Sequence, residues 1–263
     1  MEVIIQKTTE MATKLTAEVI ADQLRKQPNL VLGLATGRTM ERLYAELVSD
    51  HKENGLDFSL CETFNLDEYV GLPPENIYSY RYYMNDHLFS KINIDLRNTH
   101  LPDGMAEDLE LSAENYEKLI TEAGGIDLQL LGIGSSGHIG FNEPLSALQS
   151  RTREKALTPA TIAQNSPLFD KPENMPRHAM TMGVGTILDA KRIIMLVTGK
   201  EKAEILSKAV EGPVTGMISA SALQLHPKCT VIVDEDAASL LKEKDYYKWI
   251  FENDPGWTKF ERR

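Results

Sequence analysis

Short apolar runs alternate with longer segments whose apolar residues recur every three or four positions. The runs are Val3–Gln6, Leu30–Leu34, Cys61–Phe64, Leu128–Ile133, Ile193–Val197 and Thr230–Val233. Between them, helical periodicity covers Thr9–Gln27, Thr39–Asp50, Tyr78–Phe89, Ser112–Glu122, Lys200–Val210 and a tail segment near Asp245–Phe251. Strands that are apolar on both faces, each followed by a helix, bury themselves only in a mostly parallel sheet covered on both sides. The pattern predicts an α/β fold, Rossmann-like, as one domain over residues 1–263. It also puts function beyond the carboxyl ends of the strands. Residues 144–180, with Pro144, Pro159, Pro167, Pro172 and Pro176, are the least regular stretch and read either as a lid over a site or as a surface excursion. A helical tail is expected at about 236–263.

Composition narrows the function classes. A net charge of −11 leaves no basic face for nucleic acid or an anionic membrane, although one phosphate needs only a few local donors. The two cysteines, Cys61 and Cys229, sit inside apolar stretches and read as buried thiols of a reducing compartment. The N-terminus MEVIIQKTTEM has no signal-peptide pattern, and no apolar run approaches the roughly 20 residues that span a bilayer. A cytoplasmic location is the expectation.

Three strand ends carry chemistry. After Leu34 comes Ala35-Thr36-Gly37-Arg38-Thr39, a glycine turn opening a helix, where free backbone N–H groups, hydroxyls and Arg38 suit a phosphate. The alternative is a tight turn with Thr39 as N-cap. The loop lacks the G-K-[ST] ending of a nucleoside-triphosphate P-loop. After Phe64 come Asn65, Asp67, Glu68 and Tyr69; Asp67 is placed for general-base work, or else caps a turn beside a solvated Glu68. The third loop, LGIGSSGHIGFNEP, contains G-x-G-x-x-G at Gly132, Gly134 and Gly137. A dinucleotide fingerprint must open directly into a helix and find an acid about 20 residues on. Gly140 and Pro144 block that helix and no strand-ending acid follows, so the loop reads as catalytic, with His138 and Glu143 as an acid–base pair.

Other groupings carry less. His138, His178 and His226 lack metal-ligand spacing, so no metal is expected. No G-x-S-x-G elbow supports a serine triad. Tyr78–Tyr83 reads as a packed helix face.

With these loops placed, the chain resembles the glucosamine-6-phosphate deaminases, also called glucosamine-6-phosphate isomerases. LATGRT, TFNLDEYVGL, GIGSSGHIGFNEP, SRTR, MTMGVGTILDA, VTGKEKA and SALQLHPK occur in the family's order along nearly the whole chain. The resemblance implies conversion of glucosamine 6-phosphate and water to fructose 6-phosphate and ammonium, without metal or organic cofactor. It implies that His138, held by Glu143, opens the sugar ring and that Asp67 carries a proton from C2 to C1. It implies that Thr36, Gly37, Arg38, Thr39 and Lys202 bind the phosphate. Two positions depart from the family pattern: Ser136 stands where Asp or Asn precedes the G-H of the loop, and Pro167 stands where a phosphate-binding arginine is common. Ser136 therefore joins the catalytic candidates as the neutral neighbour of His138. Hexameric members bind N-acetylglucosamine 6-phosphate between subunits; Ser146, Arg153, Lys155 and Tyr246 match that site, whereas Ala147 replaces a second serine. The long tail favours a homo-oligomer. The alternatives are deamination of another hexosamine phosphate such as galactosamine 6-phosphate, a 6-phosphogluconolactonase-like hydrolase, and a non-catalytic sugar-phosphate sensor.

Overall fold

The structure is a computed structural model that describes residues 1–261. The last two residues of the expected tail lie outside the described residues. In chain order the first elements are β1 (Glu2–Gln6), α1 (Thr9–Lys26), β2 (Val31–Leu34), α2 (Arg38–Asn54), β3 (Glu62–Asn65) and β4 (Asp67–Tyr69). Next come α3 (Tyr80–His87), β5 (Thr99–His100), α4 (Leu109–Glu122), β6 (Leu128–Leu131), β7 (Arg153–Ala156), α5 (Pro159–Asn165) and β8 (His178–Thr181). The chain ends with α6 (Val184–Leu188), β9 (Ile193–Val197), α7 (Ala203–Glu211), β10 (Cys229–Asp234), α8 (Lys244–Asn253) and α9 (Thr258–Glu261).

Seven strands form a parallel sheet in the order β1-β10-β9-β6-β2-β3-β5. Its central strands are buried at every residue, so their sequences are predominantly apolar rather than alternating, with buried Gln129 of β6 a polar exception that donates to the Leu130 carbonyl. The helices that cover the sheet carry their own punctuation. Thr8 caps α1 by accepting from the Met11 backbone N–H, and Gly55, in a left-handed conformation, ends α2. The chain runs outward from β2 through β3 to β5, then returns to the other side of β2 with β6 and proceeds to β9 and β10. That reversal makes a topological switch point at the carboxyl ends of β2 and β6, and in open α/β sheets the crevice at such a point is where ligands bind. The phosphate-loop candidate follows β2 and the GIGSSGHIGFNEP loop follows β6, so both border this crevice.

One expectation needs correction. Residues 144–180, though rich in loops and short 3₁₀ turns, also carry regular elements: β7 and β8 pair antiparallel there, β8 also pairs antiparallel with β4, and α5 lies between β7 and β8. This small sheet packs over its own apolar cluster of Tyr69, Phe141, Leu157, Phe169, Met175 and Ala179. Its strands are short, and β4 (DEY) and β7 (REKA) are polar, so neither alternation nor continuous hydrophobicity marks them. The aromatic run also departs from a helix face. The helix α3 starts only at Tyr80, and Tyr78 and Tyr80 pack into the small cluster beside the site. Among the described residues, no helix is long and apolar enough to cross a membrane.

Candidate active site

The catalytic-loop candidate is held by close backbone approach. Gly137, at φ +80°, closes a turn in which its N–H donates to the Gly134 carbonyl at 3.0 Å, while the Gly134 N–H donates to the His138 carbonyl at 2.9 Å. The His138 ring lies directly on Gly134, where any Cβ would overlap Nε2. Farther on, Asn142 is buried and donates to the Ile139 and Met182 carbonyls, each at 2.8 Å. The Ser219 hydroxyl donates to the Asn142 carbonyl and receives the Ile139 N–H. The loop is thus fixed from three sides before any substrate arrives.

His138, Ser136 and Glu143 meet. His138 Nδ1 lies 2.7 Å from Ser136 Oγ and 3.2 Å from Glu143 Oε2, and the Ser136 hydroxyl reaches the same Oε2 at 3.4 Å. A carboxylate only accepts, so Ser136 donates to Glu143 and accepts from the His138 Nδ1–H. Nε2 is then the ring nitrogen outside this bridge. On its other oxygen, Glu143 accepts from Thr158 Oγ1 at 3.0 Å and from Thr161 Oγ1. Burial pushes the Glu143 carboxyl up, but hydrogen bonds with His138, Thr161 and Thr158 outweigh it and hold the group at about 2.

Asp67 occupies the opposite situation. It is the residue after Leu66, whose N–H donates to the Leu34 carbonyl and whose carbonyl accepts from Met182, so the first residue of β4 continues almost directly from β3. Its register partner is Thr181 on β8, and the Thr181 hydroxyl receives the Phe141 N–H of the catalytic loop. Gly140, at φ +55°, backs onto this corner: a Cβ there would lie 2.8 Å from Thr181 Oγ1 and 3.5 Å from Asp67 Oδ2. Asp67 is buried, and burial, followed by the charge of Glu68, pushes its carboxyl up to about 8. Glu68 is not solvated. It is buried and caps α3, accepting the N–H groups of Tyr80 and Arg81 at 2.9 Å and that of Tyr69 at 2.8 Å.

At the end of β2, the residue that caps α2 is Gly37, at φ +112°, and the helix starts at Arg38, so Thr39 is inside the first turn rather than the cap. No side chain fills the cap position, which leaves backbone N–H groups at the crevice. The Tyr83 hydroxyl donates to the Gly37 carbonyl at 2.8 Å, and Thr36 hydrogen-bonds Tyr80. Gly37 and Arg38 are exposed. Lys202, half-buried at the start of the segment after β9, donates to the Ile133 carbonyl at 3.0 Å, and burial lowers its pKa. It therefore points at the loop after β6, on the same end of the sheet. Pro167 lies in a short 3₁₀ turn just after α5.

The remaining candidates are split. Ser146 is buried and Arg153 Nη2 reaches its hydroxyl at 3.4 Å; Lys155 is two residues along β7. Tyr246 stands apart, 57% exposed on α8, which packs against the edge strand β1. His178 pairs with Glu154 on the small sheet, while the buried His226 faces the Ala190 carbonyl. Sequence reasoning did not find Thr158, Thr161, Tyr80 or Tyr83. A threonine followed by Pro159 was a legible helix start, but nothing local showed which carboxylate it would meet.

Comparison with known proteins places the chain among its relatives. The sequence model of the glucosamine-6-phosphate isomerases/6-phosphogluconolactonase family matches residues 5–232. The chain is 48% identical over 250 residues to a glucosamine-6-phosphate deaminase of Shewanella woodyi, covering 95% of each protein. It is 50% identical over 244 residues to the glucosamine-6-phosphate deaminase of Rhodopirellula baltica, covering 93% of this chain and 97% of that protein. A solved monomeric glucosamine-6-phosphate deaminase superposes with a TM-score of 0.89 at 43% identity, over 91% of this chain and 100% of that one. The 6-phosphogluconolactonase of Trypanosoma cruzi, at 21% identity and TM-score 0.72 over 92% and 97% of the two chains, shares the fold. The chain belongs to the glucosamine-6-phosphate isomerase/6-phosphogluconolactonase family.

Proposed function

We propose that this chain is a glucosamine-6-phosphate deaminase, which isomerises and deaminates its substrate to fructose 6-phosphate and ammonium. The observation that carries the reading is that buried Asp67 backs onto Gly140 of the same loop on which buried Glu143 pairs with His138. His138 Nε2 takes the anomeric hydroxyl proton and returns it to the ring oxygen as the ring opens. Ionised Glu143, directly and through the Ser136 hydroxyl, stabilises the imidazolium formed between those two steps. Asp67 then removes the C2 proton of the open-chain aldehyde while the aldehyde oxygen takes up a proton from solvent, giving a 1,2-enol amine, and delivers the proton it holds to C1 as the amine nitrogen releases one. The resulting ketimine takes up water at C2 and expels ammonia, which balances the overall reaction. An Asp raised to about 8 is a stronger base than an ordinary carboxylate yet still releases its proton near neutral pH, which matches it to a proton shuttle.

The phosphate docks on the backbone N–H groups at Gly37–Thr39, with the Thr36 and Thr39 hydroxyls, Arg38 and Lys202 supplying donors and charge. Arg38 takes over part of the electrostatic work of the arginine that Pro167 replaces. Binding this non-reacting end orients C1 and C2. Arg38→Ala raises KM about tenfold with little change in kcat, since a charge-assisted hydrogen bond contributes roughly 1.5–3 kcal/mol.

The deciding assay follows ammonium and fructose 6-phosphate released from glucosamine 6-phosphate, run beside galactosamine 6-phosphate. Turnover of the first supports the reading and turnover of the second alone redirects it to another hexosamine phosphate. Binding without turnover of either leaves a sensor and ends the enzymatic reading. A homo-oligomer activated by N-acetylglucosamine 6-phosphate through Ser146, Arg153, Lys155 and Tyr246 is the regulatory half of the proposal, supported by the Ser146–Arg153 contact. Sedimentation and substrate-saturation curves test it; a monomer with hyperbolic kinetics ends it. A cytoplasmic location fits a phosphorylated substrate that does not cross a bilayer unaided.

A further inference from the structure

The Glu143 carboxylate is gripped from two sides that belong to different parts of the fold. Oε2 faces His138 and Ser136 on its own loop. Oε1 accepts from Thr158 Oγ1 at 3.0 Å, from the Thr158 N–H at 3.5 Å and from Thr161 Oγ1. Both threonines belong to the start of α5, where Thr158 is the N-cap and its hydroxyl also accepts the Thr161 N–H at 3.3 Å. Thr161 is itself buried, so its hydroxyl has no water to exchange for the carboxylate.

The other end of α5 touches the site as well. Ser135 donates to Gln164 Oε1 at 2.6 Å, and Asn165 donates to the Tyr69 hydroxyl at 3.2 Å, on the same short strand as Asp67. A seven-residue helix is too short to hold its position through its own backbone bonds. Its seat is therefore set by side-chain contacts, Ile162 against the small apolar cluster together with these hydrogen bonds, two of which end on the Glu143 carboxylate.

We infer that Thr158 and Thr161 are positioning residues which fix the rotamer of Glu143 toward His138, so that the acid–base pair is complete only while α5 is seated over the crevice. Neither threonine touches the reacting atoms; each acts through Glu143. Removing the grip on Oε1 lets the carboxylate rotate away from His138 and take up a proton more readily. The titratable group facing Glu143 is His138 on its own loop, and α5 presents only hydroxyls and one N–H, so a change in α5 reaches the pair by geometry rather than by charge.

This inference rests on the deaminase reading, and its test separates the two. Thr161→Val keeps the shape and removes the hydroxyl; Thr161→Ser restores the hydroxyl; Thr158→Ala removes the second donor. The first readout needs no substrate: the carboxyl carbon of Glu143 is titrated by ¹³C NMR in the intact protein, with circular dichroism confirming the fold. Thr161→Val is expected to move the Glu143 midpoint upward from about 2, with Thr161→Ser returning it. The second readout is the kcat–pH profile. Thr161→Val is expected to lower kcat about tenfold, a part of the roughly 10²–10⁴-fold that one positioned acid–base group contributes, and to shift the acid limb upward with KM nearly constant. An unmoved Glu143 midpoint in both Thr161→Val and Thr158→Ala overturns the inference, and so does an unchanged kcat in a protein whose Glu143 has moved. A wild-type protein that turns over no hexosamine phosphate overturns the deaminase reading instead, while the Glu143 titration still decides whether α5 holds the carboxylate.

Discussion

Two corners of one crevice treat a buried carboxylate in opposite ways. At the corner formed by the catalytic loop and α5, Glu143 has a partner on each oxygen and stays ionised down to about 2. At the corner formed by β4 and β8, Asp67 is also buried, but its surroundings are the charge of Glu68 and the tight backbone of Gly140, and it is held up to about 8. Burial is common to both; hydrogen-bond donors are what differ. In the proposed roles, the carboxylate that stabilises a cation is supplied with donors, and the one that collects and releases a proton is left with fewer.

The largest effect that sharpens this contrast comes from Asp67→Asn. On the proposed mechanism, activity falls by about 10²–10⁴-fold because the C2 proton loses its acceptor. Stability moves the other way. Asp67 has a folded-state pKa above its unfolded one, so the native state holds the extra proton, and stability is lost as pH rises through the unfolded value toward about 8. The amide cannot ionise, so the substitution removes that cost. The melting temperature of the variant therefore gains on wild type at about pH 9 compared with about pH 5. Thermal melts across that range check it; a constant difference breaks the assignment.

Glu143→Gln tests the other corner with the opposite sign. Its folded pKa lies below the unfolded value, so its contribution is present at neutral pH and is lost as pH falls toward about 2. The variant is less stable than wild type at neutral pH, the gap closing on acidification, and kcat falls about 10²-fold. Equal losses at all pH values would show a packing defect rather than a lost ionised contact.

Gly140→Ala strikes the junction between the corners. It forces a side chain into a left-handed conformation and against Thr181 Oγ1, at a cost of about 1–3 kcal/mol measured by denaturant unfolding, together with a drop in kcat from displaced Asp67. Wild-type activity in the variant would mean that Gly140 does not set the Asp67 corner.

The smallest change is at Ser136. Ser136→Ala removes the bridge but leaves the direct His138–Glu143 contact at 3.2 Å, so kcat falls only several-fold, on the order of one neutral hydrogen bond of about 1 kcal/mol. Ser136→Asp adds a negative charge beside His138 and shifts the pH–rate profile upward or speeds ring opening. An unchanged profile would place the tuning of His138 with Glu143 alone.

Much of this was legible in the chain itself. Six apolar runs correspond to β1, β2, β3, β6, β9 and β10, because strands buried on both faces are predominantly apolar. The same pattern puts the three chemistry-bearing loops directly after β2, β3 and β6, at the carboxyl ends of their strands. The small antiparallel sheet was not legible. Asp67-Glu68-Tyr69 and Arg153–Ala156 are short and polar, and their identity as strands depends on β8 arriving from a distant part of the chain.

Sequence alone determined which residue types stand at the strand ends, since local chemistry and strand periodicity are written in consecutive positions. Only the tertiary structure decided what each carboxylate feels. Glu143 is held by threonines 15 and 18 positions away, and Asp67 is enclosed by Gly140 and Thr181 from two other segments. Protonation depends on burial and on donors within hydrogen-bond reach, and these distances are set by packing rather than by order along the chain.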